Sequence, residues 1–269
     1  KKPSRIALRP LVGTGGFSVD SSELNSLEAS LDSVSKDAGI PGRQEFKWSP
    51  GRNLWMRDGL VGDDRVRFFE RIIATLADHG ASATVVASET DCAQATDASS
   101  PELDVTTLFL ERAHNQLLSE ATSGVVIVDR PGGGRKDEDK FLSDCVTAAE
   151  CTSTYVRPQS FAVNVLCGSS DHVRCLQAAD VIASCSLAFI AGESQFSPGV
   201  FAAIRPLLRR NSLGFVGGTG LKLHPDMRLM NLYHWVAGDE SYARGMSGIS
   251  LPSLAYNYYE DNGMPTTSF

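Results

Sequence analysis

The chain lacks any Cys-x-x-Cys pair and any Cys/His grouping at structural-zinc spacing, although it has six cysteines (Cys92, Cys145, Cys151, Cys167, Cys175 and Cys185). That excludes a zinc-finger framework and a dithiol redox motif, and the apolar neighbours of several of these residues point to reduced core thiols. No hydrophobic run is long. The most apolar stretch, Val181 to Gly192, is too short and too broken by serine and cysteine to cross a bilayer. No N-terminal segment has the charged-then-apolar build of a secretory signal, so the sequence reads as cytoplasmic, without a membrane partner. Positive charge is not in excess either: 25 Lys and Arg against 32 Asp and Glu leave a net charge of −7 at pH 7. A broad basic surface tracking a nucleic acid backbone is therefore not expected. A nuclease is not excluded, because a carboxylate site loaded with divalent cations reverses its local charge and the cations themselves meet the phosphate.

Several catalytic signatures are missing as well. The glycine clusters VGTGG, RPGGG and VGGTG contain neither the GK[ST] ending of a phosphate loop nor a full GxGxxG between strand and helix. There is no GxSxG elbow and no HExxH, and His79, His114, His172, His224 and His234 fall in unrelated segments and read mostly as surface residues. His172 stands apart, in the turn leading into a helix that carries Asp180.

What is present is a core and an alternation. With 269 residues and 42% hydrophobic content there is room for one large or two small domains. Residues 5–19 read as strand material broken by glycines. Leu24, Leu27, Leu31 and Val34 then recur at helical spacing, with Asp20 and Glu23 at the separation of a capping box. After Gly39, Pro41 and Gly42 come the segment EFKWS (45–49), a loop rich in Arg, Gly and Asp, and a second helix carrying Phe68, Phe69, Ile72, Ile73 and Leu76. Strand SATVVAS, a helix over 103–121 and strand GVVIVD follow, both strands reading as buried on two faces. The strands at 83–88 and 125–129 are predicted as parallel neighbours with a right-handed crossover. A helix from Phe141 to Ala149, an alternating FAVNVL strand, a turn at Gly168 to Asp171 and the helix starting at Cys175 complete the pattern, which loosens after residue 211 except for a short helix at MRLMNLYHW. The fold class is α/β, a mixed sheet flanked by helices, with one domain over 1–210 and a C-terminal extension over 211–269 packed on it.

Three places carry candidate chemistry. Gln177, Asp180 and Ser184 form one polar stripe on an otherwise apolar helix, and a buried carboxylate such as Asp180 needs a cation, a metal or a donor network, or else an arginine or a neighbouring loop to cap. Asp129 closes a strand at its carboxyl end, where open α/β sheets bind ligands, and it equally suits the turn before Arg130 and the Pro-Gly loop. Glu45, Lys47 and Ser49 alternate with Phe46 and Trp48, so an extended segment sends the polar three one way; a solvated edge strand does the same. Arg43, Arg52 and Arg57 flank that segment as a phosphate-facing patch or as scattered surface arginines.

EFKWS at 45–49, IVDR at 127–130, LQAADVIA at 176–183, the element order between them and the downstream GTGLKLHPD and NLYHW together resemble the bacterial family known as domain of unknown function 3800, an RNase H-like group, over residues 10–237. The resemblance implies an RNase H-like mixed sheet with carboxylates converging on two divalent cations. It makes Asp129, Asp180 and Glu45 the metal ligands, with Lys47 beside them to contact a phosphate or polarise water, and Ser170, Gln177, Arg130 and Ser49 on the substrate side. Hard oxygen ligands favour Mg²⁺ or Mn²⁺ over zinc. On this basis Asp129 and Asp180 are expected to approach one metal position with Glu45 or Lys47 at its rim. One departure stands out: nothing in residues 1–19 matches the family's opening strand with its Asp-Glu-Ser-Gly-like motif, and Asp20 falls where a helix cap is expected. Either that ligand lies upstream of Lys1 or the site is incomplete. Three readings follow: a metal-dependent nuclease or phosphodiester hydrolase acting on RNA or DNA; a catalytically silent RNase H-like module that binds nucleic acid or a protein partner, for instance in a bacterial defence assembly; and a hydrolase of a small phosphorylated substrate.

Overall fold

A computed structural model describes residues 10–42, 44–90, 100–150, 160–244 and 247–251. Residues 5–9 of the expected first strand, Arg43, Cys92, Cys151 and the end of the C-terminal extension lie outside the described residues. In chain order the elements are β1 (Leu11–Ser18), α1 (Leu24–Asp37), α2 (Asp63–Asp78), β2 (Ser82–Glu89), α3 (Pro101–Ser119), β3 (Ile127–Asp129), α4 (Arg135–Glu150), β4 (Leu166–Gly168), α5 (Arg174–Ile190), α6 (Ser197–Ile204), β5 (Leu221–His224), α7 (Asp226–Leu232) and the hairpin β6 (Ser241–Arg244) and β7 (Ser247–Ser250). The protein is mixed α/β with a mixed sheet and flanking helices. Among the described residues no helix is long and apolar enough to cross a membrane.

Two compact units share the chain. The first takes the chain up to Ser18, then Ala81–Val105, then everything from Ile182 onward. Its sheet runs β1-β2-β5, with β2 antiparallel to β1 and parallel to β5. Burial of β2 on both faces is as its β-branched run predicts, since Ala83, Val85, Val86 and Ala87 are all fully buried. The glycines of β1 let the second half of α5 lie close against it: a Cβ at Gly13 would meet Leu187 Cδ2 and the Val86 carbonyl oxygen, each at 2.5 Å. Phe189 and Phe201 stack with ring centroids 4.3 Å apart and tie α6 to the same core.

The second unit comprises Val19–Gly80 and Thr106–Val181. Leu27 and Leu31 of α1 and the predicted apolar face of α2 are buried. The expected capping box is not formed. Asp20 turns its carboxylate to the nearest donors, Ser22 N at 2.8 Å and Ser22 Oγ at 2.6 Å, and α1 begins only at Leu24, with Glu23 as N-cap and no side-chain cap bond. A short Asp side chain bonding two residues ahead outcompetes the helix for the same oxygen. Glu23 instead pairs with His79 Nδ1 at 2.9 Å.

The strand pairing departs from the expectation. Instead of neighbouring the 83–88 strand, β3 pairs in parallel with β4, Ile127 opposite Leu166 and Asp129 opposite Gly168. Both edges of β2 are already taken by β1 and β5, and β5 lies in the stretch after residue 211 whose pattern looked loose. Nor is β3 buried on two faces. Val126 and Val128 pack on Leu110 of α3, Phe141, Leu142 and Cys145 of α4, and Val165, whereas Val125 and Ile127 are 49% and 50% exposed, because both helices contribute to the same face. The expected FAVNVL strand is replaced by the shorter β4, which starts at Leu166. Of the five histidines expected mostly at the surface, only His172 is exposed, and His114 is buried.

Candidate functional site

Every candidate residue falls within the second unit, and the organising element is the first half of α5. A helix start leaves backbone N–H groups without intrahelical acceptors. Here Glu28 of α1 supplies them, its two carboxylate oxygens accepting from Arg174 N at 2.5 Å and Cys175 N at 2.9 Å, an anion placed where the helix dipole favours it. One turn on, the buried Gln177 donates Nε2 to the Ser170 carbonyl at 2.6 Å, while its Oε1 accepts from Phe46 N at 3.2 Å. Another turn on, Asp180 Oδ2 accepts the Trp48 N–H at 3.3 Å. The three-residue spacing of Gln177 and Asp180 thus meets the two-residue repeat of an extended backbone, gripping alternate amides of the EFKWS segment. That segment belongs to no strand, and the chain bends at Trp48 and Ser49. Its aromatic side chains go the other way, as the alternation predicts, Phe46 edge-on to Phe68 at 5.4 Å and Trp48 against Phe69 at 5.2 Å.

The polar side chains left over meet the end of β3. Lys47 Nζ lies 3.0 Å from Glu45 Oε1. Ser170 links two of the carboxylates, donating its N–H to Asp129 Oδ1 at 3.0 Å and standing, through Oγ, 3.5 Å from Glu45 Oε2. Burial acts to lower the Lys47 pKa, but the hydrogen bond to Glu45 and the charges of Glu45, Asp129 and Asp180 outweigh it, so the ammonium is held above its usual value. One cation therefore stands in the field of all three acids. Glu45, Lys47, Asp129, Ser170, Gln177 and Asp180 come together.

Two candidates do not join them. Arg130 turns its Nε to Glu138 of α4 at 2.9 Å and is about half exposed, and Ser49 is exposed beyond Trp48. Among the described residues no group of three or more His, Cys, Asp or Glu side chains lies close enough together to hold a metal ion. Asp129, Asp180 and Glu45 are each tied to a different protein donor, namely Ser170 N, Trp48 N and Lys47.

Sequence patterning does not single out Arg174, although it lies one turn before Gln177, where the polar stripe continues backwards. It is buried and reaches Gln177, Gln44 and Asp32. Among the described cysteines Cys145 and Cys185 are free core thiols, while Cys167 and Cys175 are free but only half-buried; desolvation pushes the Cys145 thiol up to about 11 and those of Cys175 and Cys185 further. No protein-family profile, curated protein or solved structure matches this chain.

Proposed function

We propose that Glu45, Asp129 and Asp180 form the site of a divalent-cation-dependent phosphodiester hydrolase of RNase H-like type, acting on RNA or DNA. One observation carries this reading: three acids from a loop, a strand end and a helix, far apart in sequence, share one network with a partly exposed lysine. A second and third carboxylate facing one lysine exceed what charge pairing requires and serve no packing purpose. The resemblance of the EFKWS, IVDR and LQAADVIA segments to an RNase H-like family supports it.

The donor chemistry fits a hard cation, since all three side chains offer carboxylate oxygens and no thiol or imidazole joins them. Asp129, Asp180 and Glu45, which as placed do not stand close enough to hold a metal ion together, would have to draw in around Mg²⁺ or Mn²⁺, which would supply the charge that activates water and stabilises a leaving oxygen. Lys47 has a 38% exposed side chain and can donate to a phosphate oxygen of the substrate. Gln177 and Ser170 hold the acid-bearing segments in place, and the half-exposed Arg130 and exposed Ser49 are the outer groups available to a nucleic acid strand.

A second reading has its own support. Lys47 already pairs with Glu45 and offsets part of the acids' charge, as it would in a silent module that binds nucleic acid or a protein partner without cleaving. Asp180→Asn, melted with and without Mn²⁺, separates the readings. The hydrolase reading expects the wild type to gain about 2.7 kcal/mol at a Mn²⁺ concentration 100 times the dissociation constant, and the variant to stay folded but lose both that gain and cleavage of single- or double-stranded RNA or DNA. A wild type indifferent to Mn²⁺ favours the silent module. A variant that loses about 3–5 kcal/mol without any metal involved makes Asp180 structural.

A further inference from the structure

We propose that Arg174 is a positioning residue for this site, a buried guanidinium that sets the orientation of the Gln177 amide and brackets Glu45 on both sides. Its bearing on cation binding rests on the reading above; its bearing on geometry does not.

Arg174 is 6% exposed. Its Nη1 donates to the Gln44 carbonyl and to Gln177 Oε1, both at 2.8 Å, and its Nε and Nη2 reach Asp32 Oδ1 at 3.3 and 3.2 Å. The Phe46 ring lies under it, 5.8 Å from centroid to Cζ. The carboxylate that balances it is shared with Lys36 on the surface. A cation buried this deeply is costly for stability alone, and hydrophobic groups of similar volume often do as well. What the guanidinium adds is direction.

A glutamine amide is nearly symmetric in shape but opposite in chemistry at its two ends. In the observed orientation Oε1 accepts from both Arg174 Nη1 and Phe46 N while Nε2 donates to the Ser170 carbonyl. A half-turn would set the NH₂ group against two donors and the oxygen against an acceptor. The contact from Arg174 is charge-assisted and so the strongest of the three votes. Glu45 is thereby held through Gln44 on one side, directly, and through Phe46 on the other, by way of Gln177. Ser170, oriented by the same amide, touches both Glu45 and Asp129. Trp48 is held separately, by Asp180.

Arg174→Lys keeps the charge and gives up the fork of donors, and amide hydrogen exchange reads the result. The Phe46 amide should exchange about tenfold faster or more, as for the loss of one well-formed hydrogen bond, with Trp48 and the α2 core amide of Ile72 unchanged. Mn²⁺ binding, followed by the melting shift, should weaken by a similar factor. Unchanged exchange at Phe46, or an equal rise at Phe46, Trp48 and Ile72, overturns the proposal, the latter because a merely structural arginine loosens everything together. Should Arg174→Lys fail to fold, Asp32→Ala removes the oxygen that Arg174 Nε and Nη2 reach and frees the guanidinium on that side, and a rise confined to Phe46 is again expected; no rise there overturns the proposal. A wild type without any Mn²⁺ response whose Phe46 amide still depends on Arg174 leaves the positioning role standing and removes the cation reading alone.

Discussion

Lys47 is where the chemistry of single residues is most exposed to test. It is the shared counter-charge of Glu45, Asp129 and Asp180, yet more than a third of its side chain meets water, which limits what the pairing contributes to stability. Lys47→Met should therefore cost only about 0.2–1 kcal/mol in the absence of metal, while leaving three acids without their cation. Mn²⁺ then has no internal competitor, so its stabilising effect should grow relative to the wild type in paired thermal melts. A Mn²⁺ effect equal to or below that of the wild type would mean that Lys47 does not compete for the position. Of the three acids only Asp180, a carboxylate on an apolar helix, violates a packing expectation in the sequence; Asp129 and Glu45 equally suit a turn and a solvated strand, and it is the resemblance that groups them with Asp180. Arg174 is not legible in the sequence, since a lone arginine at a helix start looks like any surface cation until burial is known.

At the level of elements, α2, α5 and β2 follow from periodicity because each buries what its pattern says it should, whereas α1 does so only in part, burying Leu27 and Leu31 but leaving Leu24 exposed. The partners of the strands do not follow, because hydrogen-bonding edges carry no side-chain signature. β5 is four residues long, and nothing in LKLH announces that it completes the sheet beside β2. β1 offers a sharper check of packing. The added methyl of Gly13→Ala would press on the Val86 carbonyl oxygen, which the sheet ladder holds in place, as well as on the movable Leu187. We expect about 1–3 kcal/mol of destabilisation in urea unfolding. Gly15→Ala, whose nearest contacts lie at 3.1 to 3.2 Å, should cost less. Equal stability of the two variants would mean that α5 yields more readily than its close approach to β1 implies.

For the molecule as a whole, the net charge of −7 sets the terms on which a polyanion can be met. A net charge of that sign predicts few counterions to release, so binding of single-stranded RNA or DNA should be weak in EDTA, stronger with Mn²⁺, and only shallowly dependent on salt. Titrations at two salt concentrations check this, and a steep salt dependence in EDTA would reveal a phosphate-tracking surface that the charge count does not suggest. The α/β class was readable from the alternation of apolar runs with helices. The division into two units was not, because it depends on which distant stretches meet.

That division has a temporal side. The second unit, which contains the entire carboxylate site, is complete in sequence once Val181 has been made, whereas the first unit is interrupted twice and its β2 must wait for β5 at Leu221–His224. A chain emerging from the ribosome therefore carries the means to close the site while its larger sheet still has an open edge. Long-range pairing of this kind is the slow step in assembling a sheet. The order of synthesis thus places the residues proposed for chemistry ahead of the sheet in the other unit.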